Sequence, residues 1–196
     1  MISDVAFLLV RLGGGFWAFR ARMMATRRGS WSQHLRRTLY YAYLARYGAY
    51  VGHSSAFAGE PCFPHGLYGV FIAGGARVGR NCVIFQQVTL GANAIPTSKT
   101  VGCPTLGDNV YVGAGAKIIG KVHIGDNSRI GANCVVTADV PANSLVVLPP
   151  PRVIARDAPQ DNRYYRWTPG LPEYFDDGRW VVENDPAIAE RLRDAF

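Results

Sequence analysis

The sequence predicts an all-β core wound as a three-faced prism of short parallel strands, with a helical segment before it and a hairpin and helix after it. Three observations carry this reading. Aliphatic residues return at every sixth position through the middle of the chain, glycine often follows them, and the beat is absent before residue 51 and stops at Pro149-Pro150-Pro151. Neither a helix nor a plain strand repeats by six. At 196 residues and 48% hydrophobic content, the chain buries a workable core without disulfides or a metal.

Residues 1–50 form the first part, a basic helical segment. They hold eight arginines against the single acid Asp4 and so carry the whole net charge of +7; the remainder of the chain is balanced. Basicity confined to one segment does not indicate a nucleic-acid partner. The apolar run from Val5 to Phe19 is broken by Arg11 and by Gly13-Gly14-Gly15, which makes it too short and interrupted to span a bilayer. It also lacks the layout of a secretory signal. Phe16, Trp17, Phe19, Met23 and Met24 alternate with arginines. Such a helix either packs its aromatics onto its own domain or a partner subunit, or lies on an anionic membrane surface. The first reading is preferred. Four cysteines without a CxxC pair fit reduced thiols, so a cytoplasmic location is expected, with peripheral contact at the inner membrane face as an option.

Residues 51–152 carry the repeat. Ile72, Val78, Ile84 and Leu90 keep the beat; it resumes at Leu106, Val112, Ile118, Ile124, Ile130 and Val136. A weaker stretch, Val51, Phe57 and Phe63, precedes them. Four residues after each beat comes a small or β-branched residue, such as Ala76, Cys82, Ala116 or Cys134. One short strand plus one corner takes six residues, and three such faces close a coil of 18 whose aliphatic residues point inward. Glycine after the beat is expected to serve the corner, through positive φ or close approach. Two irregular steps, from Phe63 to Ile72 and from Leu90 to Leu106, mark where loops leave the prism, and such excursions usually carry function.

The stretches His65-Gly66-Leu67-Tyr68-Gly69, Val88-Thr89-Leu90-Gly91, Val112 to Gly120 and Ile130 to Val136 resemble the hexapeptide-repeat acyltransferases, and within them the serine acetyltransferase-like branch. The resemblance covers about half the chain and implies a left-handed parallel β-helix, a homotrimer with active sites between neighbouring prisms, and acetyl-CoA as co-substrate. It further implies that His65, at the family's catalytic position, acts as general base on an acceptor hydroxyl. An imidazole with a pKa near about 6.5 suits that step. By the same resemblance Gly113, Ala114, Ala132, Thr137 and Arg152 are expected to hold the coenzyme. No metal is expected, because His53, His65 and His123 lack convergent spacing.

The chain also departs from that branch. Pro64 stands where an aspartate precedes the catalytic histidine, Tyr50 where a second aspartate orients it, and Cys103 where a further histidine helps hold serine. Glu60 or the Tyr50 hydroxyl is therefore expected to orient His65, and Gln86, Gln87 and Asn93 are candidates for binding acceptor hydroxyls. Loss of the groups that grip a zwitterion favours a carbohydrate acceptor, as in surface or capsular polysaccharide building. The alternatives are serine O-acetylation, N-acetylation of an amino sugar, and a non-catalytic scaffold.

Residues 153–196 form an aromatic-rich tail. Asp177-Gly178 between Tyr174-Phe175 and Trp180-Val181-Val182 predicts a hairpin, and Asp185-Pro186 the start of a helix reaching Phe196. Its rings suit either stacking on an acceptor or packing over the prism's end.

Overall fold

The computed structural model describes residues 2–168 and 170–193. The chain divides into two compact units, Met1–Pro149 and Pro150–Phe196.

The first unit opens with three helices rather than one: α1 (Ile2–Leu12), α2 (Gly15–Ala25) and α3 (Trp31–Ala45). The glycine triplet makes the first break, since Gly14 and Gly15 both adopt left-handed backbone, with φ of 83° and 89°. Ser30 starts α3 by accepting the backbone N–H of Gln33 at 3.2 Å. The aromatic residues pack inward. Phe19 and Met23 of α2 and Tyr40 and Leu44 of α3 are buried, and Trp17 sets its ring edge-on to Phe57 at 5.0 Å. Polar contacts reinforce the join. The buried Tyr40 hydroxyl donates to the Val51 carbonyl at 2.9 Å, and the Arg20 guanidinium donates to the carbonyls of His53 and Ser55. Of the two readings of this segment, the packed one describes these rings. No helix among the described residues is long and apolar enough to cross a membrane.

The prism follows as three parallel sheets visited in constant order. Face one stacks β1 (Tyr50–Val51), β3 (Phe71–Ile72), β6 (Thr89–Gly91), β9 (Lys117–Ile119) and β12 (Val135–Val136). Face two stacks β2 (Ala56–Phe57), β4 (Arg77–Val78), β7 (Thr105–Leu106) and β10 (His123–Ile124). Face three stacks β5 (Val83–Ile84), β8 (Tyr111–Val112), β11 (Arg129–Ile130) and β13 (Leu145–Val146). Register pairs beat with beat: Ile72 lies beside Leu90 and Leu90 beside Ile118. Every beat residue from Ile72 to Val136 is buried, as are Ala76, Cys82, Val88, Val110, Ala116, Val122, Ser128, Cys134 and Val140 four residues after a beat. Each fully enclosed isoleucine contributes about 1.5–3 kcal/mol. Burial also pushes the Cys82 thiol above its usual pKa, consistent with a packing role.

The corners divide the two expected roles between different residues. Left-handed backbone falls three residues after the beat and is often asparagine: Asn81, Asn109, Asn127 and Asn143 line one edge with φ between 53° and 60°. Their side chains form a ladder, Asn81 Nδ2 donating to Asn109 Oδ1 at 2.7 Å, and Asn109 to Asn127 and Asn127 to Asn143 at 3.1 Å each. The glycine directly after the beat serves close approach instead. A Cβ on Gly113 would lie 2.7 Å from the backbone nitrogen of Ala132 in the next coil.

In the second unit, β14 (Tyr165–Trp167), β15 (Pro172–Asp176) and β16 (Arg179–Val182) form an antiparallel sheet. Asp177 and Gly178, with φ of 41° and 79°, make the predicted two-residue turn. Glu183 is buried and accepts from the Tyr165 hydroxyl, the Arg163 guanidinium and the Asp185 backbone N–H. Helix α4 (Pro186–Arg193) follows, with Asp185 Oδ1 accepting from the Ala187 N–H at 2.9 Å. The last residues of the expected helix, 194–196, lie outside the described residues.

Candidate active site

His65 sits on the edge where face three turns into face one, in the longer step between Phe63 and Ile72. Gly66 and Gly69, at φ of 71° and 65°, allow the extra residues to fold out there. The turn is pinned by the Gly66 N–H on the Phe63 carbonyl and the Gly69 N–H on the Tyr47 carbonyl, each at 2.9 Å. Buried Leu67 anchors it below. His65 itself is exposed, with its ring edge-on to Phe85 at 5.3 Å.

The imidazole Nδ1 lies 2.7 Å from Gln86 Oε1. A carboxamide oxygen only accepts, so this contact keeps a proton on Nδ1 and leaves the Nε2 lone pair available. The Gln86 main chain is fixed in turn, its backbone carbonyl accepting the Gly115 N–H at 3.0 Å. Next to it, Lys117 Nζ donates to the carbonyls of Gln87 and Gly115 at 2.8 and 2.7 Å. The same edge carries Gly113, buried against the Ala132 backbone, half-buried Ala114 and exposed Ala132.

Other expected site residues lie elsewhere. Glu60 is exposed on the edge between faces two and three, one prism face away from His65, and the described residues provide it no hydrogen bond or ion pair. Tyr50 is on face one, its ring stacked between Tyr41 at 5.5 Å and Phe71 at 4.9 Å. Neither meets the imidazole; Gln86 does. Asn93 belongs to the 92–104 loop on the edge between faces one and two, where its side chain is consumed. Its Nδ2 donates to Ser98 and Thr100 hydroxyls at 2.7 and 3.2 Å, and its Oδ1 accepts the Ile95 N–H. Cys103, in the same loop, packs its sulfur against Gly75. Thr137 is exposed just after β12 on that edge. Arg152 belongs to the second unit.

The sequence places Gln86 among the acceptor-binding candidates and does not single out Lys117. A register argument reaches Gln86: it stands two residues after the inward Ile84, as His65 stands two after Phe63, so both occupy one place on one edge. His53, His65 and His123 fall on different edges and faces, and among the described residues no three histidine, cysteine or acidic side chains are grouped as a metal site.

Residues 103–138 match the family described as Bacterial transferase hexapeptide (six repeats). Over 105 residues the chain is 49% identical to a serine acetyltransferase of Synechococcus elongatus, an alignment covering 53% of this chain and 42% of that one. Identity to a Mycobacterium tuberculosis serine acetyltransferase is 40% over 115 residues, covering 59% and 49%. In fold the chain is similar to the crystal structure of Neisseria gonorrhoeae serine acetyltransferase, with a TM-score of 0.57, 26% identity, and coverage of 74% and 52%. The chain thus spans less than half the length of these two curated relatives. The likeness identifies the coil as a left-handed parallel β-helix with an N-terminal helical part.

These relatives overturn the expectation of a carbohydrate acceptor and a place in polysaccharide building, because they are named serine acetyltransferases. Gln86, rather than Glu60 or Tyr50, meets the His65 imidazole where the aspartates of that branch are missing. In sequence across the prism and in fold, the chain is similar to the hexapeptide-repeat acyltransferases of the serine acetyltransferase type.

Proposed function

We propose that this protein is an acetyl-CoA-dependent serine O-acetyltransferase with His65 as its general base. The observation that carries the reading is the 40–49% identity of its prism to proteins of that name; the His65–Gln86 pair supplies the chemistry. His65 Nε2 takes the proton of the acceptor hydroxyl as the oxygen attacks the thioester carbonyl. The tetrahedral adduct collapses, the carbon–sulfur bond breaks, and the imidazolium returns the proton to the departing thiolate. Acetyl moves from sulfur to oxygen, and the enzyme ends as it began. General-base assistance of this kind is worth about 10²–10⁴ in rate.

The coenzyme is assigned to the edge bearing Gly113, Ala114 and Ala132, with Gln87 beside the acceptor; Thr137, on the next edge, would contribute only from a neighbouring copy. The homotrimer that the resemblance implies is part of the proposal; in it, a contribution to the site from the 92–104 loop, which lies on a different edge from His65, would come from a neighbouring copy. Acetyl-CoA turnover with L-serine, followed by thiol release, tests the proposal. The expected result is L-serine-dependent release that falls at least about 100-fold in His65→Ala. A protein that binds acetyl-CoA yet releases no thiol with L-serine overturns it.

A further inference from the structure

Away from the His65 edge, the turn between α2 and α3 overhangs the first corner between faces one and two. The two enclose a cavity of about 420 Å³ lined by Met24, Arg28, Gln33, Arg37, His53 and Ser54. We propose that this cavity binds a phosphate-class oxyanion.

The lining is a set of donors without an acid. Arg28 and Arg37 make no ion pair among the described residues, and the only acid in residues 1–50, Asp4, is paired with Arg46. Gln33 has its Oε1 engaged by the Gly29 N–H at 2.8 Å, which leaves its amide nitrogen to donate. His53 has its Nδ1 2.9 Å from the Tyr41 hydroxyl, and that hydroxyl oxygen already accepts the His53 backbone N–H at 3.2 Å. With the phenolic proton directed at Nδ1, the ring carries its own proton on Nε2, facing away from Tyr41. Ser54 adds an exposed hydroxyl.

Two arginines, a glutamine, a histidine and a serine thus line one cavity from the α2–α3 turn, α3 and the first corner. A planar carboxylate presents two oxygens, whereas a tetrahedral phosphoryl group presents several in different directions and carries up to two charges. The Met24 thioether offers an apolar wall to whatever bears the phosphoryl group. The corner is held rigid by Arg20, which donates to the carbonyls of His53 and Ser55.

The test is titration of the full-length protein with inorganic phosphate and pyrophosphate at low ionic strength, followed by calorimetry and by the ¹⁵N shift of His53 Nε2. Coenzyme A against its 3′-dephospho form, and phosphatidylglycerol against phosphatidylcholine vesicles, identify the source of the phosphoryl group. Saturable binding that moves the His53 signal and weakens at least about tenfold in Arg28→Gln and Arg37→Gln supports the site. The control Arg27→Gln removes an equal charge outside the cavity and is expected to bind as the parent does. Equal weakening in all three variants, or no saturation in any arm, overturns the proposal. None of these readouts depends on serine turnover.

Discussion

His65 and Gln86 are 21 residues apart in sequence and 2.7 Å apart in space, Nδ1 to Oε1, because the prism returns each coil to the same edge. A neutral carboxamide thereby orients the imidazole. It fixes the tautomer as a carboxylate does, without adding a negative charge that would stabilise the imidazolium.

Replacing Gln86 separates orientation from charge. Gln86→Leu is expected to lower kcat about 10- to 100-fold with little change in KM, and to mix the His65 tautomers in ¹⁵N spectra. Gln86→Glu is expected to restore orientation while raising the imidazole pKa, since an adjacent carboxylate favours the protonated ring. The acidic limb of its pH–rate profile then moves to higher pH. Steady-state kinetics across pH check both. A leucine variant with parental kcat and an unchanged ¹⁵N spectrum contradicts the assignment.

The prism was legible because a six-residue beat has one physical solution, and the residues from Ile72 to Val136 occupy the inward positions it demands. The hairpin at Asp177-Gly178 was legible for a similar reason: the turn needs two residues tolerant of positive φ. Contacts between coils were harder to read. Glu60 is near His65 along the chain, but one prism face intervenes, while the partner arrives from the following coil. Asn93 looked available because its side-chain bonds to Ser98 and Thr100 depend on a loop path that the repeat does not encode. The glycine after each beat leaves positive φ and close approach open; the structure gives it close approach, and the positive φ falls to asparagine, which tolerates that conformation and adds a side chain that can pair.

The asparagine ladder is expected to contribute to stability through both backbone and side chain. Asn109 has a φ of 57° and takes part in two rungs. Asn109→Ala puts a Cβ without a compensating hydrogen bond into that region and cuts both rungs, costing about 2 kcal/mol. Asn109→Gly cuts the same rungs but relieves the backbone, so it is expected to cost about half as much. Urea midpoints of the two variants measure the difference. Parental stability in the alanine variant means the ladder is decorative.

Arg20 is expected to hold the first coil to the helices. Its guanidinium donates to the carbonyls of His53 and Ser55 and lies 4.9 Å from the centre of the Phe57 ring. Arg20→Met retains much of the stem but strands both carbonyls, at a cost of about 2 kcal/mol. Lysine keeps the charge without the fork, so it is expected to recover only part of this. Hydrogen exchange localises the effect: the Ala56 N–H, bonded to the Ala76 carbonyl at 3.0 Å, loses protection before the inner coils do. Uniform loss across all coils argues against a local anchor.

Acid is expected to unfasten the second unit. The Asp185 N–H, the Tyr165 hydroxyl and the Arg163 guanidinium hold the Glu183 carboxyl below its ordinary range, and Arg163 holds Asp161 at about 2. Both folded-state values are depressed, so their stabilisation is complete above the ordinary carboxylate pKa of about 4. As pH falls below that value the unfolded chain takes up protons first, and each contribution is gone once its folded group protonates, near 2 for Asp161. The indole resonance of Trp180, whose ring lies 4.0 Å from the Arg166 guanidinium on the same sheet, reports the state of this unit in the full-length protein. Glu183→Gln is expected to remove the Glu183 share of the transition, leaving the step from Asp161, and to weaken the unit at neutral pH because Arg163 loses one of its two carboxylate partners. An acid transition identical to the parent's in that variant places the sensitivity elsewhere.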